Sequence, residues 1–239
     1  MVITTKAIVL SSIKYSDASL IVKCFTECCG VKSYLLRGVL SSRKGKLKKA
    51  HFFPLTQLEI TAGHKNRGGL EHIREARVYY PYRTVYSDMA KNAVVLFLAE
   101  VLNSCIQEEE ENTVLYRYIE DALTWLDTRE TPVNFHILFL LRLTRYLGFY
   151  PDASRSHLSY FDLLEGSFAD HAGYGPVIYG EALEHFRKFL ETDFDGSGQI
   201  KLTKEIRKNI LNALITYFEL HLIGFKKPRS LAVLHEVFD

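Results

Sequence analysis

The first 80 residues contain short apolar runs, some alternating with polar residues, that are typical of β-strands. Turn signals separate the runs at Ser16–Asp17, at Gly30 and in the glycine-rich segment 63–69. The pattern predicts five strands: Ile3–Leu10, Ser19–Thr26, Val31–Leu36, Leu55–Thr61 and Leu70–Val78. Five strands in about 80 residues fit an OB-type barrel, a fold that often binds single-stranded nucleic acid. An SH3-like barrel has a similar number of strands, so the pattern alone leaves both folds open.

From Ser87 onward the apolar residues recur at the spacing of α-helices. The pattern predicts helices over 90–105, 114–126, 134–148, 181–190 and 204–223, whereas residues 150–173 have no clear periodicity. The helix over 134–148 is apolar on nearly every side, which indicates a central position in its domain. The expected fold class is therefore α+β, with an OB-fold domain over residues 1–81 and an α-helical domain over residues 82–239.

The charge is divided unevenly between these two parts. Residues 1–81 contain 14 Lys and Arg against five Asp and Glu, a net charge of +9, whereas the rest of the chain carries −7. Such asymmetry is typical of a nucleic-acid-binding part joined to a part with another role. No apolar run has the length of a membrane span, and the N-terminus lacks the pattern of a signal peptide. We therefore expect a cytoplasmic protein with no membrane contact.

Much of the positive charge lies in one segment, Arg37–Lys49, which contains six cations and no acid. Glycines and serines interrupt it, so it is predicted to be a flexible loop between two strands. Such a loop neutralises phosphates without reading sequence. The alternative is a solvated surface loop, but six cations without a carboxylate repel one another unless a counter-anion is near. The candidate DNA-binding residues are Arg37, Arg43, Lys44, Lys46, Lys48 and Lys49, together with Lys65 and Arg67 of the segment 63–69.

Two segments resemble parts of metal sites, and both are incomplete. Residues 193–198 match the start of an EF-hand loop, but Lys204 stands where the bidentate glutamate is required. The clustered cysteines Cys24, Cys28 and Cys29 would need a fourth ligand from elsewhere, and free thiols in a reducing cytosol are the simpler reading. No GxSxG, HExxH, P-loop or GxGxxG motif occurs. We expect no cofactor and no catalytic residues.

Several further stretches form a pattern through their order and spacing along the chain: Thr5–Leu10, Tyr15–Val22, Phe25–Thr26 with Gly30, Arg37–Val39, Leu141–Leu143, Leu147–Pro151, Tyr217–Leu222 and Lys226–Leu231. In this order they resemble the RecO family of bacterial recombination mediators. The resemblance implies a non-catalytic DNA repair protein of the bacterial cytoplasm, associated with the nucleoid. Such proteins bind single- and double-stranded DNA, anneal complementary strands and contact the C-terminal tail of single-strand-binding protein. With RecR they help load RecA onto covered single strands.

The chain departs from this family over residues 150–173. Many members carry a four-cysteine zinc module after the central helix, but this stretch contains no cysteine. His157 and His171 alone cannot close a zinc site. The sequence therefore predicts a metal-free remnant of the module.

The partner tail that the resemblance implies is an acidic peptide ending in apolar residues and a carboxylate. A bidentate arginine beside an apolar groove suits such a terminus. Arg142 and Arg145 on the central helix, beside Leu138, Leu141 and Phe149, are the candidates. The alternative is that both arginines only stabilise the C-terminal end of the helix dipole.

Two other functions remain open from the sequence alone. One is an OB-fold RNA-binding or translation-associated module, in which strand aromatics such as Tyr34 and Phe52 stack on bases. The other is an enzyme whose site forms no recognisable motif. For Tyr34 and Phe52, a purely structural role in the barrel is the alternative.

Overall fold

The computed structural model describes residues 1–41, 47–64, 69–130 and 133–238. The chain divides into two compact units, Met1–Asp127 and Thr128–Asp239. The strands of the first unit are β1 Val2–Lys14, β2 Leu20–Thr26, β3 Gly30–Leu36, β4 Gln57–Gly63 and β5 His72–Tyr80, and a 3₁₀ helix, Lys49–Phe52, precedes β4. Short strands β6 Tyr160–Asp162, β7 Ser167–Ala169 and β8 Val177–Tyr179 follow later. The α-helices are α1 Met89–Cys105, α2 Thr113–Thr128, α3 Phe135–Tyr146, α4 Gly180–Glu191, α5 Phe194–Ser197, α6 Lys204–His221 and α7 Leu231–Phe238.

Strands β1 to β5 form one antiparallel sheet in the order β3-β2-β1-β4-β5. A short parallel bridge links its two edges, because the Leu35 N–H donates to the Glu71 carbonyl (2.9 Å) and the Glu71 N–H donates to the Ser33 carbonyl (2.8 Å). The sheet therefore curls into a partly open five-stranded barrel of the OB type. An N-terminal OB-type sheet followed by helices confirms the predicted α+β class.

Alternate residues of the strands fill the interior of the barrel. This alternation follows from the two-residue period of a strand, which puts every second side chain on the same face. The cluster consists of Ala7, Val9, Leu20, Val22, Cys24, Tyr34, Leu36, Val39, Phe52, Leu58, Ile60, Ala62 and Ile73.

The connection between β5 and α1 is held by a buried carboxylate near the end of α2. Asp127 is 2% exposed and its Oδ1 accepts the backbone N–H groups of Arg83, Thr84 and Val85 at 3.0, 2.8 and 3.1 Å. The buried Lys91 ammonium donates to the Thr84 hydroxyl (2.6 Å) and the Asp127 carbonyl (3.3 Å). Burial acts to raise the pKa of Asp127, but the three N–H donors outweigh it and hold the pKa below its ordinary value.

The second unit is built around α3, whose residues Phe135–Leu141 are all buried. This confirms the central helix that the sequence predicts. The chain leaves α3 through Gly148, which has a φ of +86° and so occupies the left-handed conformation that glycine favours. Helix α7 was not predicted, because its eight residues are too few for a clear helical period. Within the ranges that the structure describes, no helix is long and apolar enough to cross a bilayer.

Residues 150–179 contain regular structure that the sequence did not predict. Strands β7, β6 and β8 form a small antiparallel sheet in that order. The β6–β7 turn is closed by Asp162, whose Oδ1 accepts the N–H groups of Leu164 (2.8 Å) and Glu165 (3.1 Å). Phe161 packs against Phe168 with ring centroids 5.1 Å apart. Aromatic packing thus supports the sheet, which is too short for a periodic signal in the sequence.

Candidate nucleic-acid interface

The basic segment Arg37–Lys49 joins β3 to the 3₁₀ helix, and both of its ends are fixed to the barrel. Val39 is buried in the core, and Leu40 and Leu47 pack against it. The Leu40 N–H also donates to the Ala18 carbonyl at 3.1 Å. The predicted loop between two strands is therefore anchored on each side by apolar residues.

Three of the candidate DNA-binding residues are described by the structure. Arg37 follows β3 immediately, while Lys48 and Lys49 lie at the start of the 3₁₀ helix, and all three are exposed. The pKa of the nearby His51 is lowered, first by its burial and second by the charge of Lys48. Arg43, Lys44, Lys46, Lys65 and Arg67 lie outside the described residues.

The segment that carries Lys65 and Arg67 starts from a buried histidine. His64 Nε2 lies 2.9 Å from the Tyr34 hydroxyl inside the barrel, and the N-terminal ammonium donates to the His64 carbonyl at 2.9 Å. Burial lowers the pKa of His64, so the neutral imidazole is favoured. His64 thus has a structural role and adds no positive charge to the surface.

Two other lysines of the barrel contact groups at, or just after, the C-terminal end of α1. The buried Lys32 forms an ion pair with Glu109 at 2.7 Å. Lys23 donates to the carbonyl groups of Asn103 (3.2 Å) and Ile106 (3.4 Å), which belong to the C-terminal end of α1. These cations stabilise the first unit and are not available for phosphates.

The acidic segment Glu108–Glu111 lies against the β2–β3 hairpin while its side chains stay exposed. The Val31 N–H donates to the Glu108 carbonyl at 2.9 Å. The backbone of Glu108 and Glu110 approaches Gly30 (φ +62°) so closely that a side chain at position 30 would have no space for its Cβ. Because this segment belongs to the first unit, Met1–Asp127 carries a net charge of only +3. The charge asymmetry read along the sequence is therefore much weaker between the folded units.

The two arginines proposed for the partner tail have different surroundings. The Arg142 guanidinium donates to the Thr192 carbonyl. The exposed Arg145 stacks over the Tyr150 ring, 4.4 Å from its centroid, in the last turn of α3. Leu138 and Leu141 are fully buried, so they do not line an exposed groove beside the arginines.

The EF-hand-like segment forms the short helix α5. Asp193 caps it by accepting the Gly196 N–H at 2.8 Å, and Asp195 forms an ion pair with Arg129. His157 and His171 are exposed. Among the described residues, no group of three or more His, Cys, Asp or Glu side chains is placed to hold a metal ion.

The structure corrects the choice of stacking aromatics. Tyr34 and Phe52 are buried in the barrel, so the proposal that they stack on bases is wrong. The exposed aromatics nearby are Phe53 and Tyr86, whose ring centroids are 6.1 Å apart. A signal for Phe53 exists in the sequence, because the Phe-Pro pair at 53–54 breaks the strand pattern there.

The comparisons with known proteins agree with this arrangement. The family model "Recombination protein O N terminal" matches residues 1–82, and "Recombination protein O C terminal" matches residues 86–231. The chain is 46% identical over 238 residues to DNA repair protein RecO of Christiangramia forsetii and 44% identical over 239 residues to that of Flavobacterium psychrophilum, in both cases over the full length of each chain. It is 37% identical over 243 residues to DNA repair protein RecO of Bacteroides fragilis, covering 98% of each chain. The protein therefore belongs to the RecO family of bacterial DNA repair proteins.

Proposed function

We propose that this protein is a non-catalytic recombination mediator of the bacterial nucleoid. It binds single- and double-stranded DNA, anneals complementary strands and, with RecR, helps load RecA onto DNA covered by single-strand-binding protein. The observation that carries the proposal is the basic segment anchored on an OB-type barrel, with Arg37, Lys48 and Lys49 exposed at its ends. Family membership favours DNA over RNA as the nucleic acid.

The basic segment suits a polyanion in both composition and position. No Asp or Glu occurs between Glu27 and Glu59, a stretch that contains seven Lys and Arg. Of these seven, Lys32 is paired with Glu109, whereas Arg37, Lys48 and Lys49 are exposed. Exposed cations without nearby acids release counter-ions when they meet phosphates, and this release drives binding without sequence preference.

The test replaces five cations of the segment and compares a matched control. The loop variant has alanine at Arg43, Lys44, Lys46, Lys48 and Lys49. The control variant has alanine at five exposed lysines of the second unit, Lys188, Lys201, Lys204, Lys208 and Lys227. Both variants lose the same charge, so a difference between them reports position rather than net charge.

Fluorescence anisotropy then measures the affinity for single-stranded DNA, duplex DNA and structured RNA. We expect the loop variant to lose roughly tenfold or more in affinity for both DNA forms and to anneal strands slowly, while the control binds nearly as the wild type does. Equal losses in both variants would contradict the proposed position of the interface. Tighter binding to structured RNA than to DNA would favour the RNA-binding alternative.

We further propose that the tail of single-strand-binding protein binds near the C-terminal end of α3. Arg145 supports this site, because its guanidinium is exposed and its stacking on Tyr150 holds it in place. A held, planar guanidinium matches a terminal carboxylate with two hydrogen bonds. Arg142 contributes positive charge, although it already donates to Thr192.

Titration of a labelled tail peptide tests this site. Because a hydrogen bond to a charged group contributes about 1.5–3 kcal/mol, Arg145→Ala is expected to weaken peptide binding by roughly tenfold. Arg145→Lys keeps the charge but not the bidentate geometry and should be intermediate, and Arg142→Ala should weaken binding less. DNA affinity should stay unchanged in all three variants. The assignment fails if the loop variant abolishes peptide binding while the α3 variants bind normally.

A further inference from the structure

Two aromatic side chains stand together on the surface of the first unit. Phe53 is 52% exposed and Tyr86 is 41% exposed, and their ring centroids are 6.1 Å apart at an interplanar angle of 46°. Phe53 directly follows the 3₁₀ helix that begins at Lys49. Tyr86 lies in the connection between β5 and α1. An exposed phenylalanine beside an exposed tyrosine offers apolar ring faces next to the basic segment.

Hydrogen bonds hold this pair in place. The Tyr86 hydroxyl donates to the Pro54 carbonyl at 3.0 Å and lies 2.7 Å from the Thr56 hydroxyl. Tyr82 packs edge-on against the Tyr86 ring, with centroids 5.5 Å apart, and its hydroxyl donates to the Leu55 carbonyl at 2.8 Å. Both phenols therefore point inward to the turn that follows Phe53. The Tyr86 ring is fixed at its polar end and exposed along its side.

The turn that follows Phe53 contains one backbone-strained residue, which is held by its surroundings. Leu55 has a φ of +58°, the only positive value found for a non-glycine residue within the described ranges. A branched residue in this left-handed region costs about 1–3 kcal/mol and persists only where surrounding contacts enforce it. Here the Leu55 side chain is fully buried and its N–H donates to the Val9 carbonyl at 2.7 Å. Just before this residue, Phe52 ends the 3₁₀ helix with its ring in the core, and Phe53 follows with an extended backbone (φ −70°, ψ 152°) and faces solvent.

The charges around the pair favour a nucleic acid over an apolar protein partner. Lys48 and Lys49 are exposed within five residues of Phe53. Asp88, the acid closest in sequence to Tyr86, accepts the Lys91 N–H at 2.9 Å as the N-cap of α1. Aromatic rings flanked by cations form the combination that binds single strands, because the rings stack on bases while the cations neutralise phosphates.

We propose that Phe53 and Tyr86 form a base-stacking platform for single-stranded DNA. The proposal rests on the DNA-binding function above and deepens it, because it names the residues that distinguish single strands from duplex. Bases within a duplex are already stacked on one another and cannot cover the platform without being unpaired. Single-stranded bases can, so the platform adds affinity for single strands alone.

The test separates stacking from phosphate binding. Phe53→Ala removes the exposed ring, and Phe53→Leu removes its π face while keeping an apolar side chain. Phe53→Trp keeps a stacking surface. The control is Tyr174→Ala, which removes a fully exposed aromatic residue of the second unit. Each variant is titrated with single-stranded DNA, with an abasic strand of the same length and with duplex DNA, and thermal melting verifies that it is folded.

We expect Phe53→Ala and Phe53→Leu to weaken single-strand binding by about five- to tenfold, within the range that one base–aromatic contact contributes. Binding to the abasic strand and to duplex should change less than about twofold, because phosphate contacts remain. Phe53→Trp should bind as the wild type does, and its fluorescence should be quenched by the bases. Tyr174→Ala should leave all three affinities unchanged.

Three results would overturn the platform. The first is an unchanged single-strand affinity in both Phe53→Ala and Phe53→Leu. The second is an equal loss on the abasic strand, which would indicate a role for Phe53 in the shape of the basic segment. The third is unchanged DNA binding with lost binding of an apolar peptide, which would indicate a protein partner. By contrast, a wild-type protein that binds none of the three ligands would refute the proposed DNA-binding function itself.

Discussion

Replacing Asp127 is expected to destabilise the first unit more than any single change at the surface. The carboxylate accepts three backbone N–H groups between 2.8 and 3.1 Å, and these hold the β5–α1 connection in place. Asp127→Ala leaves those N–H donors without an acceptor in a buried site. Each unsatisfied donor lowers the free energy of unfolding by about 1–3 kcal/mol unless a water molecule takes the place of the carboxylate. Partial relaxation lowers the sum, so we expect a loss of about 4 kcal/mol, as for other broken buried charge networks.

Asp127→Asn is the matched control for charge. Its side-chain oxygen can still accept N–H groups, but its amide replaces the oxygen that lies 3.0 Å from the Arg83 nitrogen. We expect a loss of about 2 kcal/mol, because hydrogen bonds to a charged acceptor are roughly twice as strong as those to a neutral one. For a chain of this length, each 1 kcal/mol lowers the melting temperature by about 2–4 °C. The alanine variant should therefore melt about 8–16 °C below the wild type.

The pH dependence of unfolding gives an independent measure of the same group. The pKa of Asp127 is lowered in the folded protein, so the folded state favours the carboxylate over the acid. The stabilisation is therefore complete above the ordinary carboxyl pKa and is lost as pH falls through the lowered value. Circular dichroism melts between pH 7 and pH 3 should show a smaller acid-induced loss for Asp127→Asn. A melting temperature of Asp127→Ala within about 2 °C of the wild type would refute the reasoning.

Two further changes test packing in each unit by thermal melting. Gly30→Ala should destabilise the first unit by at least about 2 kcal/mol, because the φ of Gly30 is +62° and the new Cβ would lie 2.6 Å from the Glu108 carbonyl oxygen. Gly63→Ala is the control: its Cβ meets no atom within 4 Å, so this variant should melt nearly as the wild type does. Burial lowers the pKa of His136 to about 3, so the folded state favours the neutral imidazole. The wild type should therefore lose stability as pH falls below the ordinary histidine pKa of 6.5, and His136→Leu should lose less stability over the same range. An acid sensitivity that is identical in His136→Leu would contradict this assignment.

The elements with strong periodicity were predictable, and those without it were not. The five strands and the helices α1, α2 and α6 show the alternation or the helical spacing of a buried face, whereas α3 is recognisable from its nearly continuous apolar run. The three-residue strands β6 to β8 are too short to show any period. They form because Phe161 and Phe168 meet across the sheet, a contact that depends on tertiary structure.

The candidate interface was predictable in its charge and not in its aromatic part. A cluster of cations without acids is visible in the sequence, whereas the opposite directions of the Phe52 and Phe53 side chains depend on where the 3₁₀ helix ends. Phe52 is the last residue of that helix and is buried, whereas Phe53 follows it with an extended backbone and is exposed. The sequence also gives no sign that the acidic segment Glu108–Glu111 contacts the β2–β3 hairpin, because that contact is made through the backbone of Val31 and Glu108.

The salt dependence of single-strand binding tests the central claim most directly, namely that the basic segment binds DNA phosphates. The logarithm of the binding constant falls with the logarithm of salt concentration by about 0.7 for each phosphate contact on single strands. If about six cations make contacts, the wild type and the control variant should both have slopes near −4, and the loop variant should have a slope near −1. A loop variant with the wild-type slope would show that other residues bind the phosphates and would contradict the account.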